Sequence, residues 1–264
     1  MFTFRLPMPL PENFEPAERD PKKLRRTAWI LVAIMVLGGW LVMKAYNNYV
    51  AKRAKDDRPS IIHRIQPERS LRVVRQDGET VDLMDLRDKV FAIHVVHTEQ
   101  MEESSRSIDI LKRAAETFSQ EEDFRIVTLI LNPGPPDEAL KQLKQAASAM
   151  EVELPQWWVA SNEQKTLTKF IRKELKPSMP PGEVEGRWKF DPSIVLVDRN
   201  GHLRRAVVPQ KKGGPPYIAP FDFDQAAQWD AEGKKTGTDL SNAQQLELLL
   251  METIEKLLAE PFEE

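Results

Sequence analysis

The stretch KVFAIHVVHTEQMEESSRS, Lys89 to Ser107, decides the fold. Val90 to His97 is a near-continuous apolar run, which suits a strand covered on both faces rather than one. Phe124 to Leu131, FRIVTLIL, is a second such run. Between them Ile108, Leu111, Ala115 and Phe118 recur at helical spacing, so the unit reads as strand, helix, parallel strand. A crossover of that kind is right-handed.

Working outward, LRVVRQDGETVDLMDL gives two short strands about the Asp77-Gly78 turn. Downstream, PPDEALKQLKQAASAM places Leu140, Leu143, Ala147 and Met150 on one helical stripe, with Pro136 in the first turn. A short strand is expected at Gln156 to Ala160. Ser161 with Gln164 makes a capping-box pattern for a helix burying Leu167, Phe170 and Ile171, stopped by Pro177. SIVLVDRNGHLRRAVV reads as a hairpin across Asn200-Gly201. Ser241 and Gln244 open a final helix with Leu246, Leu249, Leu250, Ile254, Leu257 and Leu258 on a broad buried face. A strand–helix–strand half, an inserted helix and strand, and a hairpin-plus-helix half together make a thioredoxin-like α/β order. Pro209 to Asp239 is rich in proline and glycine and is expected to be a long loop. Its aromatic residues Tyr217, Phe221, Phe223 and Trp229 either fold back over the domain or present anchors to a protein partner.

Near the N-terminus the chain is uncharged from Thr27 to Met43, with Trp29 and Trp40 placed as interfacial anchors and Lys44 able to snorkel. The sequence therefore divides into a Pro-rich basic tail (1–26), a single membrane-spanning anchor (27–46), a linker (47–69) and a domain (70–264). Basic residues flank the span on both sides but approach it more closely on the N-terminal side. That asymmetry favours an inside N-terminus and a translocated C-terminal domain; the expected placement is a single pass of the cell inner (cytoplasmic) membrane with the C-terminal domain extracytoplasmic. A net charge of -3 without a basic, aromatic-interleaved stripe argues against nucleic-acid binding. The absence of cysteine excludes disulfides, thiol nucleophiles and thiolate-ligated metals.

Three stretches, DGETVDLMDLRDKVFAIHVVHTEQMEESS, ILNPGPPDEALKQL and FDPSIVLVDRNGHLRR, together resemble the Sco/SenC family of membrane-anchored copper-handling proteins. The resemblance runs from about Leu71 to Val208 and extends to the anchor and the last helix. It implies a thioredoxin-like, peroxiredoxin/Sco-type central sheet flanked by helices, and a role in cytochrome oxidase assembly. Members of that family follow the first central strand with Thr-x-Cys-x-x-x-Cys. Here Thr98 matches, while Gln100 and Ser104 stand where the two copper-binding cysteines would be. The family's third ligand, a histidine within Asp-His-Ser, is replaced in Asp191-Pro192-Ser193.

Soft thiolates at a helix N-terminus select copper(I), and amide, hydroxyl and proline side chains do not. The reading that follows is a non-enzymatic protein without a cofactor. It would act in a membrane complex, such as a respiratory oxidase, by binding a protein partner or serving assembly. The alternative is copper delivery through replacement ligands, His97 and Met101. His94 points to the opposite face of the same strand and is expected to be a hydrogen-bonded core residue. Glu99, Glu102 and Glu103 suit a helix N-terminus, Ser104 and Ser105 suit N-caps, and His202 is expected in a loop.

Overall fold

The computed structural model describes residues 20–55, 58–102, 104–208, 217–234 and 239–262. The chain divides into two units, Met1–Lys55 and Asp56–Glu264. Most of the tail, residues 1–19, lies outside the described residues. The first unit contains α1 (Pro21–Lys55). Asp20 starts it by accepting from the Lys22 N–H at 2.9 Å, with Pro21 in the first helical position, where its missing N–H costs nothing. Pro21–Tyr49 has mean hydropathy 2.0 and is long and apolar enough to cross a membrane. Trp29 and Trp40 are exposed, as a lipid-facing helix requires, and the Lys44 ammonium lies 5.0 Å from the centre of the Trp40 ring. The helix is longer at both ends than the span expected at 27–46.

The second unit carries, in chain order, β1 (Ser60–Arg64), β2 (Arg72–Arg75), β3 (Thr80–Asp82), β4 (Val90–His97), α2 (Ser105–Thr117), β5 (Phe124–Leu131), α3 (Pro136–Met150), β6 (Trp157–Ser161) and α4 (Gln164–Phe170). There follow β7 (Gly182–Val184), β8 (Arg187–Lys189), β9 (Val195–Val197), β10 (His202–Val208), β11 (Tyr217–Ala219), α5 (Phe223–Ala231) and α6 (Asn242–Ala259). Among the described residues one sheet runs β1-β10-β9-β4-β5-β6-β2-β3, with β11 paired to β10. β4 and β5 are parallel over their full length, Val90 opposite Phe124 through His97 opposite Leu131. β9 returns antiparallel to β4, and β10 antiparallel to β9. The quartet β5-β4-β9-β10, with α2 between its parallel strands and α6 after its hairpin, is the thioredoxin-like arrangement. α3, β6 and α4 are inserted between the two halves.

Alternation along β4 explains the unbroken apolar run. Val90, Ala92 and Val96 enter a core under α2, α3, α5 and α6, while Phe91, Ile93 and Val95 enter a second core under α4. Leu250, Ile254 and Leu257 of α6 are fully buried, each contributing about 1.5–3 kcal/mol. The capping box that opens α6 forms as expected: the Gln244 N–H donates to Ser241 Oγ, and Gln244 Oε1 accepts from the Ser241 N–H, both at 3.2 Å.

Three expectations are corrected. The linker drawn over 47–69 is not one: its first part continues α1, and Ser60–Arg64 pairs antiparallel with β10, Ser60 opposite Arg205, so the domain begins before residue 70. The Ser161/Gln164 capping box does not form. Ser161 Oγ donates to the Ile130 carbonyl at 2.6 Å, and Gln164 Oε1 accepts from the Asn132 N–H at 2.7 Å, so tertiary bonds outcompete the local cap. The segment 209–239 is more than a loop. Its described residues hold β11 and α5, the latter capped by Asp222, which accepts from the Gln225 N–H at 2.9 Å.

Candidate functional site

β4 ends at His97, and the chain turns through a short 3-10 turn, Thr98–Gln100, before α2. His97 is buried on the face of Phe91, Ile93 and Val95. Its Nδ1 accepts from the Glu99 N–H at 3.2 Å, capping that turn. The ring stacks on Trp188, centroids 5.4 Å apart and planes 24° from parallel. Burial pulls its pKa below the ordinary value, with the Glu99 carboxylate opposing. A neutral imidazole that accepts at Nδ1 carries its proton on Nε2, and Nε2 is buried without a partner. In this arrangement neither ring nitrogen offers a lone pair to a cation.

Met101 packs against the other core, the one containing Val96 and α2. The two proposed replacement ligands are thus directed to opposite sides of the sheet. Gln100 is half-buried at the end of the turn. Ser104 is buried at the position preceding α2, but its hydroxyl makes no capping bond, contrary to the N-cap expected there. Glu99 and Glu102 are exposed, as acids at a helix start can be, and Glu103 lies outside the described residues. Among the described residues no group of three His, Asp or Glu side chains is arranged to hold a metal ion.

Asp191, Pro192 and Ser193 lead into β9, whose register sets Val195 opposite Ile93 of β4. Pro192 is half-buried. Asp191 is the working member of the triplet: it accepts from the Ser178 N–H at 2.5 Å, Ser178 Oγ at 2.7 Å and the Ser193 N–H at 2.9 Å. Burial pushes this carboxyl up, but the donors from Ser193 and Ser178 outweigh it and hold the group below its ordinary range. It is a clamp on two chain segments, and its oxygens are already committed to donors.

His94 and His202 differ from expectation. His94 is a core residue, but both ring nitrogens are buried without a partner, and burial lowers its pKa to about 4. Among the described residues no donor or acceptor reaches it from the helices packed on that face. His202 is not in a loop: it opens β10, and its Nδ1 lies 3.2 Å from Asp198 Oδ2. Asp198 also accepts from the Asn200 and His202 N–H groups and from Arg204.

Of the aromatic residues in 209–239, Phe221 and Phe223 are fully buried in the α5 and α6 core, which removes them from any surface contact. Tyr217 and Trp229 line a cavity between β10, β11, α5 and α6. Sequence reasoning missed Trp188, the residue that covers His97. Its hairpin β7–β8 turns through Glu185 and Gly186, both at positive φ as a two-residue primed turn requires, and Gly186 was its trace in the sequence.

No family model matches the chain, and no curated protein does. Its structural neighbours include Sco/SenC proteins. A SCO1/SenC family lipoprotein from Bacillus anthracis is 16% identical, with 71% of this chain and 92% of that chain covered at a TM-score of 0.46. Copper-bound ScoI from Arabidopsis thaliana is 10% identical over 71% and 97%, TM-score 0.46, and the soluble domain of Sco1 from Bacillus subtilis is 19% identical over 69% and 99%, TM-score 0.43. Such identities bear on fold alone, and the fold assignment itself rests on the strand order and parallel crossover described above.

Proposed function

We propose that this chain is a membrane-anchored, non-enzymatic Sco/SenC-like protein whose domain serves a protein partner rather than carrying copper. The observation that supports this most is chemical. The three positions where the resembled family keeps copper ligands hold Gln100, Ser104 and Pro192, and none supplies a soft donor or redox-active sulfur. The nearest histidine, His97, has its Nδ1 engaged by the backbone and its ring under Trp188. On this reading the domain needs no cofactor, faces the extracytoplasmic side of an inner membrane, and acts in assembly or architecture of a respiratory oxidase complex. The oxidase link rests on the sequence resemblance.

Affinity purification of the full chain in mild detergent tests the proposal. Recovery of a stoichiometric membrane-protein partner is the expected result, and recovery of the chain alone counts against it. Copper(I) titration addresses the rival reading: tight one-to-one binding abolished by His97→Ala would establish delivery through replacement ligands. Weak binding unchanged by that substitution fits the partner-binding role.

A further inference from the structure

The chain's net charge of -3 conceals a segregation. The 35 residues of α1 carry eight lysines and arginines and not one aspartate or glutamate. Four of the eight, Lys22, Lys23, Arg25 and Arg26, stand within five residues, directly against the uncharged run that starts at Thr27. All four are exposed, and among the described residues none of their side chains has a hydrogen-bond or ion-pair partner. Asp20 is the nearest described acid, and it is committed to the backbone, accepting from the Lys22 N–H at 2.9 Å. An anion drawn here would therefore be held by the side chains rather than by that capped helix end.

Helical spacing gathers these charges. Lys22 lies three residues before Arg25 and four before Arg26, and Lys23 lies three before Arg26, so the cations are neighbours on the helix surface. Trp29, four residues after Arg25 and three after Arg26, continues that face towards the apolar run. Like charges at this spacing repel and weaken a helix unless a counter-charge lies nearby, and α1 supplies none. The other end of the span differs. Lys44 already rests on Trp40, 5.0 Å from the ring centre, and the next cation in the sequence, Lys52, is eight residues further on, about 12 Å along the axis.

We propose that Lys22, Lys23, Arg25 and Arg26 bind the headgroup phosphates of anionic phospholipids in the leaflet at the N-terminal end of the span, with Trp29 seated at the interface beneath them. The proposal rests on the reading of α1 as a membrane-spanning anchor. Forked guanidinium donors and point-charge ammonium groups both suit a phosphodiester. A zwitterionic headgroup brings its own ammonium to the phosphate and leaves no net charge to answer the cluster. Each basic residue held at an anionic surface is worth roughly fivefold in association.

Trp29 is the reporter in the test. The full chain carrying Trp40→Phe is reconstituted in phosphatidylcholine vesicles. Quenching of its tryptophan fluorescence by phosphatidylcholine with brominated acyl chains shows that α1 sits in the bilayer, whatever its headgroup preference. Brominated phosphatidylglycerol should then quench with a relative binding constant at least about fivefold greater at low salt. Combining Lys22→Gln, Lys23→Gln, Arg25→Gln and Arg26→Gln should bring that preference to near unity while quenching by brominated phosphatidylcholine is retained. Should that variant not insert, sodium chloride should remove the wild-type preference, since exposed charges are screened. No quenching by either lipid would overturn both the span and the proposal. Equal binding of the two lipids, a preference retained in the inserted glutamine variant, or one insensitive to salt would overturn the headgroup contact alone. Inorganic phosphate abolishing the preference where chloride of equal ionic strength leaves it would reveal a free-anion site and overturn the lipid assignment.

Discussion

Replacing His94 with leucine should stabilise the domain, and increasingly so as the solution is made acidic. The imidazole is fully buried in the middle of β4, with neither nitrogen partnered. Thr128, opposite it in β5, already accepts from the Trp157 indole N–H at 2.9 Å. A buried donor or acceptor left unmade costs about 1–3 kcal/mol, so exchanging the ring for a hydrocarbon of similar volume should gain at least about 1 kcal/mol at pH 7.5. The pH dependence follows from linkage. In the folded state the His94 pKa is lowered from 6.5 to about 4 by burial, so between those values the unfolded chain binds the proton and the folded chain does not. Stability is therefore intact above the ordinary histidine value and drains as pH falls towards the folded one. The whole gap is worth roughly 3 kcal/mol, of which roughly 2 is lost by pH 5. Leucine removes that drain. Urea unfolding of the full chain in a non-denaturing detergent, followed by near-ultraviolet circular dichroism at pH 5, 6, 7 and 8, should give wild-type and His94→Leu stabilities that diverge as pH falls. Parallel curves, or a variant less stable than wild type at pH 7.5, would refute the reasoning by showing that the ring has a partner worth keeping.

Other substitutions probe the clamps. Asp191→Asn weakens three bonds from Ser178 and Ser193, and should cost about 1–3 kcal/mol at pH 7 in the same urea assay. Because the folded Asp191 carboxyl is held below its ordinary range, its stabilisation is present above that range and lost as pH drops through the folded value, so the deficit should shrink in acid. Arg204→Met should be among the costliest changes, about 3 kcal/mol or more by thermal melt. It breaks bonds to Asp198 Oδ2 at 2.6 Å, Glu260 Oε1 at 2.7 Å and the Pro59 carbonyl at 3.1 Å, and strips the buried Asp198 of its cationic partner. Trp188→Ala uncovers His97, so its NMR titration midpoint should rise from its depressed position towards 6.5; an unchanged midpoint would mean that burial by Trp188 is not what lowers it.

The elements legible in the sequence are those whose signal is local. Val90–His97 and Phe124–Leu131 announce themselves because they are buried on both faces, and α6 because its apolar stripe and capping box agree. The elements that escaped are stabilised from elsewhere. Ser60–Arg64 is short, polar in part, and becomes a strand by pairing with β10. α5 follows prolines that suggest a loop, although the Asp222 cap was there to be seen. At the candidate site Gln100, Ser104 and Pro192 were singled out by the family resemblance, not by any local physical signal. The stacking of Trp188 on His97 and the assignment of Met101 to the other core could not, because each depends on how distant segments pack.

The strand exit also separates two kinds of residue that the motif mixes together. Thr98, which matches the resembled pattern, donates from its hydroxyl to the Asn132 carbonyl at 3.1 Å and so ties the chain leaving β4 to the chain leaving β5. Asp191, which also matches, gathers the Ser178 and Ser193 amides. Both bonds hold backbone, and neither needs a metal. On the proposed reading, Gln100, Ser104 and Pro192 stand where the resembled family keeps its ligands, and those are the positions that differ. Substituting a ligand need not disturb a joint whose shape is set by Thr98, Asp191 and the His97–Trp188 stack, because none of these contacts passes through the substituted atoms. A joint built this way can present a fixed contour to a partner with no ion to exchange, and its stability should be indifferent to copper chelators.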